Sequence, residues 1–574
     1  MRPETLAIRC LNQYRARDIV TYLGLRYYLE AKCARQDRWA KEVATDIASH
    51  RRTPVYHRSH FYKETSDTGK IEYRELYTPA PNDALAEAAV LGECARLGGP
   101  FASQSSVFSY RLATGNERNG IFEPYFIGYR ARHKAISQIC REIPDAVIIY
   151  RDLRKFYPSI TKAQAEKAWN EACTAAGLAQ PLARLGEAFV RQHGCLPGNH
   201  NGVVTGPMFS HVVGNLVLRQ LDEEMDRKFP HRYFRYVDDL VIAVKSSEAK
   251  EAAQRLEEAV EKFGFHVHPD KSFDVPASRW LESEGDLDAD KKRPSWASFI
   301  GGMKQFLICA PERRSDLENR LTDAGLRIVP LDYATASRER DYQASVLERL
   351  AQTWFRRKIR HVSPETIVAD GVRLRLIMLQ AFETACGHLK AANGFQRKRW
   401  LQRLRFACSR LIYLAPASEL PRIGQTLKTI PEVIEYAAIF QALHTCDVGP
   451  LLPYGNRVAQ AAAQPLKALR AEIVYKPVDV DWSAAQVEVL SVLLMNGVNL
   501  KLDAASPPPE TPITRFARGA PQDSSDGSTN AEYFAELFHL HGRAKPSRHA
   551  EMLTTTFDVD ESMVFDGELL QTYS

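Results

Sequence analysis

Arg235–Val244 reads RYVDDLVIAV, two apolar half-runs broken at the centre by the adjacent acids Asp238 and Asp239. The pattern predicts a buried hairpin with both carboxylates at its tip. Two neighbouring carboxylates repel, so such a tip needs something to offset the charge. A divalent cation does this well, because hard oxygen ligands suit Mg²⁺. A solvated Asp-Asp turn satisfies this fragment equally well when it is read alone.

A second segment favours the cation. Ala146–Tyr150 (AVIIY) is a short, β-branched apolar run that predicts a buried strand. It delivers Asp152, followed by Phe156, Tyr157, Pro158, Ser159 and Ile160. Asp152 alone also suits a helix N-cap, with Leu-Arg-Lys after it. An acid ending one buried strand and an acid pair on a hairpin can converge on the same ions. Two metals held roughly 4 Å apart in this way activate a 3′-hydroxyl and stabilise a departing pyrophosphate.

Asp152-Leu-Arg-Lys-Phe-Tyr-Pro-Ser-Ile resembles the first palm motif of reverse transcriptases, and Tyr236-Val-Asp-Asp resembles their catalytic hairpin. Between them, Gly202-Val-Val-Thr-Gly206-Pro-Met-Phe-Ser210 and Asn215–Leu218 are similar to the template- and nucleotide-contacting motif. Gly264–Lys271 is similar to the next motif and Phe299-Ile-Gly-Gly302 to the primer grip. Upstream, Lys70–Pro79 and Val107-Phe-Ser-Tyr-Arg111 resemble the two fingers motifs. The middle motif departs from the usual Pro-Gln-Gly and Ser-Pro, having Val204-Thr205-Gly206 and Ser210-His211. With the Ser-Tyr-Arg motif and a long helical C-terminal part, the resemblance is nearest to bacterial abortive-infection and defence-associated reverse transcriptases.

The resemblance implies an α+β right-hand polymerase. It makes Asp152 and Asp238 ligands of both metals, with the Leu153 carbonyl as a further ligand and Asp239 assisting. Mg²⁺, or Mn²⁺, is the expected cofactor. Tyr157, five positions after the first acid, matches the steric gate that excludes a 2′-hydroxyl, which implies dNTP substrates; Phe156 precedes it. Arg74 and Arg111 are the candidate triphosphate cations, since an arginine fork binds phosphate oxygens in pairs; ordinary surface arginines remain the alternative. Gly206 would let backbone approach closely, and Lys271 would neutralise or protonate the leaving pyrophosphate. The implied partners are an RNA template or noncoding RNA, a DNA product, and a second copy of the chain through self-assembly. The implied setting is antiphage defence. A retron- or intron-type enzyme copying a dedicated RNA, and a catalytically silent RNA-binding scaffold, are the competing readings.

Composition fits an intracellular, cytoplasmic enzyme. The 574 residues exceed one typical domain, and 45% apolar with 25% charged residues is ordinary for globular proteins. No apolar run is long enough to span a bilayer, so no membrane partner is expected. The ten cysteines include no CxxC pair, so neither a zinc ribbon nor a disulfide framework is indicated. His193, Cys195 and His200 come closest to a metal cluster and read better as part of a loop.

Net charge is only +6, so its distribution matters more. Trp354–Arg410 carries thirteen Lys/Arg against three acids, a local excess of +10. Arg356, Arg357, Lys358, Arg397, Lys398 and Arg399 are its clusters, with apolar residues interleaved at helical spacing. This predicts a helical thumb whose basic face grips a duplex or a structural RNA, in a salt-sensitive manner; a solvated helical face is the alternative. Lys501–Ser574 has the opposite balance, six basic and twelve acidic residues, and reads as a partly flexible tail. The expected organisation is an N-terminal helical extension over 1–61, fingers over 62–145, palm over 146–312, a basic helical region over 313–500 and the acidic tail over 501–574. Single helices are expected over Ile19–Asp46 and Ser246–Phe263, and an inserted loop over Pro276–Pro294.

Overall fold

The structure, a computed structural model, describes residues 3–15, 18–30, 37–66, 69–114, 120–196, 202–283, 294–333, 362–475, 482–502, 507–520, 529–541 and 546–556. It is α+β, mostly helical, with small and mainly antiparallel sheets. Two compact units divide the chain, each built from discontinuous segments. One comprises Met1–Gln13, Tyr28–His57 and Leu76–Ala289; the other comprises Tyr14–Tyr27, Arg58–Glu75 and Asp290–Ser574.

In chain order the first elements are helices α1 (Pro3–Tyr14), α2 (Ile19–Glu30) and α3 (Asp37–Ala48), then strands β1 (Tyr56–Thr65) and β2 (Ile71–Pro79). Next come α4 (Pro81–Leu97), α5 (Tyr125–Glu142), β3 (Ala146–Asp152), α6 (Phe156–Ser159), α7 (Lys162–Ala176), α8 (Gln180–His193) and α9 (Met208–Lys228). The hairpin strands β4 (Tyr233–Tyr236) and β5 (Asp239–Lys245) follow, with α10 (Ala249–Lys262), β6 (Phe273–Pro276) and α11 (Ala277–Glu282).

These last elements form the core of the first unit. Its antiparallel sheet has the order β4-β5-β3-β6. Ile148, Ile149 and the whole run Leu240–Val244 are shut off from solvent, which explains their near-continuous apolar character on both faces. Helices α5, α10 and α11 pack on the sheet. In α10 the buried residues Ala252, Leu256, Ala259 and Val260 recur at helical spacing, so a single stripe faces inward.

The helix expected over Ile19–Asp46 is described over α2 and α3, with 31–36 outside the described residues. One local expectation is corrected. The loop expected over Pro276–Pro294 begins as helix α11. There Pro276 takes the N-cap position, and Trp280 is buried against His133 with ring centroids 4.7 Å apart. A charged, aperiodic sequence hid one well-anchored turn.

The second unit is mostly helical, with most of the β1-β2 sheet and the two-residue parallel pair β7 (Ile473–Val474) and β8 (Leu500–Lys501). Its longest helices are α14 (Pro364–Leu389) and α15 (Gly394–Leu414), after α12 (Trp296–Cys309) and α13 (Arg314–Asp323). They pack on each other. The last carbonyls of α15 have no partner within the helix and need donors. Arg327 donates to the Ile412 and Leu411 carbonyls at 3.0 and 3.4 Å, and Arg375 donates to Leu414 O at 2.5 Å. Cations at a helix C-terminus also suit its dipole. Burial, with Arg375 nearby, brings the Arg327 guanidinium down to about 10. No helix among the described residues is long and apolar enough to cross a membrane.

Candidate metal centre

Antiparallel pairing of β3 with β5 sets Asp152 directly opposite Asp239. The hairpin closes from Tyr236 to Asp239 through the two-residue turn Val237-Asp238, so the second acid of the pair joins the same end of the sheet. The Leu153 amide donates to Asp238 O at 3.0 Å and fixes the turn on the end of β3. As a result Asp152, Asp238 and Asp239 offer carboxylate oxygens that all lie within 4.8 Å of one another. Three hard oxygen donors at this spacing could hold a metal ion.

The turn is strained. Val237 has φ 56°, a region that disfavours β-branched residues and costs about 1–3 kcal/mol. Two contacts hold it. The Val237 amide donates to Ser109 Oγ at 2.7 Å, and Arg235 Nη1 donates to the Val237 carbonyl at 3.0 Å. Arg235 is itself fully buried, donating to Asp222 through Nε and Nη2 at 2.8 Å each and to Asn215 Oδ1 at 3.1 Å. Tyr233 donates its hydroxyl to Asp222 as well. The backbone of Arg235 is bracketed by Ser106 and Phe108, which add a short parallel bridge beside β4.

Asp239 differs from the other two acids. The buried Tyr150 hydroxyl donates to its Oδ1, and the buried Arg132 guanidinium stands 3.7 Å from its Oδ2. Burial and then the Asp239 charge push the Tyr150 phenol well above its usual range, which keeps it a donor. Burial is the largest single influence and disfavours the Arg132 charge, but Asp239 together with Tyr150, Tyr129 and Tyr236 outweighs it and raises the group. Arg132 therefore balances part of the negative charge of the cluster.

The other predicted residues fall in several places. Leu153 is buried beside the acids, and its neighbour segment is pinned by His268 N–H donating to Asp152 O at 2.7 Å and Arg154 N–H to His266 O at 2.8 Å. Lys271 ends the short turn Pro269–Lys271 in this segment and is half-buried. Phe156 and Tyr157 open α6 and are buried. The Tyr157 hydroxyl is 2.5 Å from His211 Nδ1, and the His211 ring stacks on Tyr110 with centroids 3.7 Å apart. Gly206 has φ 123°, and a Cβ there would lie 2.2 Å from the Tyr77 carbonyl. Its close approach is therefore to protein backbone.

Arg111 folds back on its own loop, donating to Val107 O at 2.7 Å and Ser105 O at 3.4 Å, over the Phe108 ring. Arg74 lies half-buried on β2, within the second unit. In that unit Arg397 grips Glu432 through Nε and Nη2 at 2.6 and 3.0 Å, while Lys398 and Arg399 are half-buried on α15 with Arg399 near the Trp400 ring. Arg356, Arg357, Lys358 and His200 lie outside the described residues. His193 is buried with Nε2 3.1 Å from the Tyr56 hydroxyl, and burial depresses it to about 3, so it is a neutral core group.

Sequence reasoning missed Arg132, Tyr150, Ser109 and Asp222. Arg132 sits on the buried face of α5, in a stretch whose basic residues otherwise face water. Tyr150 was visible as the only hydroxyl in the apolar run AVIIY. Neither the known family models nor the curated proteins include a match to this chain.

Proposed function

We propose that the chain is a nucleotidyltransferase of reverse-transcriptase type, adding deoxynucleotides from dNTPs to a hydroxyl in antiphage defence. The observation that carries this reading is the convergence of Asp152, Asp238 and Asp239 within 4.8 Å at one end of an antiparallel sheet. In polymerase terms that sheet is the palm, with fingers before it and a helical thumb after it.

The donor set suits Mg²⁺ or Mn²⁺, since all three groups are carboxylates. Asp152 and Asp238 would hold the ions, with the Leu153 carbonyl close by. Bound metal would supply an acidified hydroxyl nucleophile and charge neutralisation at the pyrophosphate. Asp239, with protein partners on both oxygens, acts as a fixed charge that orients the turn. Arg132 and Tyr150 hold it in place. Tyr157 presents the edge of the sugar pocket, and its hydroxyl is tied back to His211.

Incorporation of labelled dNTP by purified protein tests the proposal. Asp238→Ala and Asp152→Asn should each lower it by about a thousandfold or more, and Asp239→Asn by less. Undiminished incorporation in Asp238→Ala would end the assignment.

A further inference from the structure

We infer that the first turn of α5 is a base-stacking platform for the single-stranded end of a nucleic acid, an inference that rests on the polymerase reading above. Among the described residues four large apolar side chains are exposed: Tyr125 (46%), Phe126 (45%), Ile127 (49%) and Leu376. Three of the four are consecutive. Exposed apolar residues are ordinarily scattered singly, so a contiguous trio marks a contact surface.

The backbone holds this turn outward. Gly128 packs so tightly on the preceding loop that a Cβ would lie 1.9 Å from the Phe108 carbonyl. Beyond it Arg132, His133, Ile136 and Ser137 are buried, which fixes the rotation of α5 about its axis. Phe126, Arg130 and Lys134, four residues apart, therefore share the exposed stripe. The Arg130 guanidinium lies over the Phe126 ring, 5.7 Å from its centroid.

The stripe adjoins the acid cluster. The Tyr236 hydroxyl donates to Tyr125 O at 3.2 Å, and the Tyr129 ring meets Tyr236 edge-on at 5.7 Å. Tyr236 is the hairpin partner of Asp239. Two exposed aromatic rings, Tyr125 and Phe126, set edge to face at 85° with cations along one side, match a polynucleotide, whose bases offer π faces and whose phosphates offer negative charge. A protein partner would need a larger apolar area than three side chains provide.

The test is binding of short fluorescein-labelled oligodeoxyuridylate and oligouridylate, which differ only in the sugar, by fluorescence anisotropy, in EDTA and without dNTP, over a range of KCl. Phe126→Ala/Ile127→Ala should weaken binding at least about fivefold with the salt slope unchanged. Arg130→Ala/Lys134→Ala should reduce the slope of log affinity against log salt by about 1.4. A preference for either oligonucleotide supports the platform and identifies the sugar of the bound strand. Both variants alter exposed side chains, and wild-type melting would show that they fold. Affinity within about twofold of wild type in the Phe126/Ile127 variant overturns the inference. So does a wild-type dimer, by light scattering, that these same substitutions dissociate. Asp238→Ala separates the two proposals: if it still polymerises, only the function above falls, whereas normal oligonucleotide binding by the Phe126/Ile127 variant removes the platform alone.

Discussion

Asp222 and Arg235 form a two-pronged ion pair, 2.8 Å on each arm, with both side chains closed off from water. The arginine's remaining nitrogen reaches the Val237 carbonyl at 3.0 Å, so this pair is the foundation of the acid-bearing turn. Removing one partner strands a buried charge, which costs about 3–5 kcal/mol. Asp222→Ala should lose that much in urea denaturation. Asp222→Leu/Arg235→Met should recover most of the stability but not the incorporation, because the turn would still lack its donor. Equal activity in the double variant would show that the turn needs no such support.

Val237 can be tested in the opposite sense. A valine-to-glycine change in an ordinary strand position is destabilising, but at φ 56° glycine relieves strain. Val237→Gly should leave stability unchanged or raise it by about 1 kcal/mol, while a freer turn lowers incorporation. A clear loss of stability in thermal or urea melts would mean that the turn is not strained.

Glu87 provides a pH signature. Buried in α4, it accepts from the Phe209 amide at 3.3 Å, in the first turn of α9, and from the Tyr56 hydroxyl at 3.1 Å. Burial dominates these bonds and lifts its carboxyl to about 8, whereas an unfolded glutamate titrates near about 4.3. Between those values the folded chain holds a proton that the unfolded chain has lost. Stability should therefore decline as pH rises from about 4 towards 8. Glu87→Gln should flatten this slope and melt higher than wild type at alkaline pH, by an amount on the order of a few kcal/mol. Parallel melting curves for the two proteins from pH 4 to 9 would refute the linkage.

In the proposed function, Tyr157 and His211 would divide the sugar check between a ring and its tether. Tyr157→Ala should raise ribonucleotide use relative to deoxynucleotide use by about tenfold or more. Tyr157→Phe keeps the ring and loses only the 2.5 Å contact with His211, so its discrimination should fall only a fewfold. His211→Ala should resemble Tyr157→Phe. Competition between labelled dNTP and NTP measures all three, and an unchanged ratio in Tyr157→Ala would dismiss the gate.

The acids were legible because their signal is local: two short apolar runs and three carboxylates at their ends. The strand register that joins Asp152 to Asp239 was not, because both runs are apolar on both faces and carry no alternation to set it. Arg132 and Asp222 were not legible, because each meets the hairpin only after a helix has been packed against it. The basic stretch over Trp354–Arg410 shows the opposite failure. Counting charges treated Arg375, Arg397 and Arg410 as solvent-facing, yet Arg375 caps α15, Arg397 grips Glu432, and Arg410 is buried over the Phe406 ring at 3.8 Å. Composition cannot tell a cation that faces solvent from one that fastens helices together.

Arg151, next to Asp152 but on the other side of β3, is held by Glu257 at 2.7 Å and Asp274 at 2.8 Å. Neighbours on a strand point to opposite faces, so a shift by one residue would exchange the two. The arginine would then enter the acid cluster and the aspartate would face Glu257 and Asp274. Evolution and engineering are thus constrained asymmetrically here: a single replacement along β3 leaves every other side chain on its own face, but adding or deleting one residue reverses the polarity of the site.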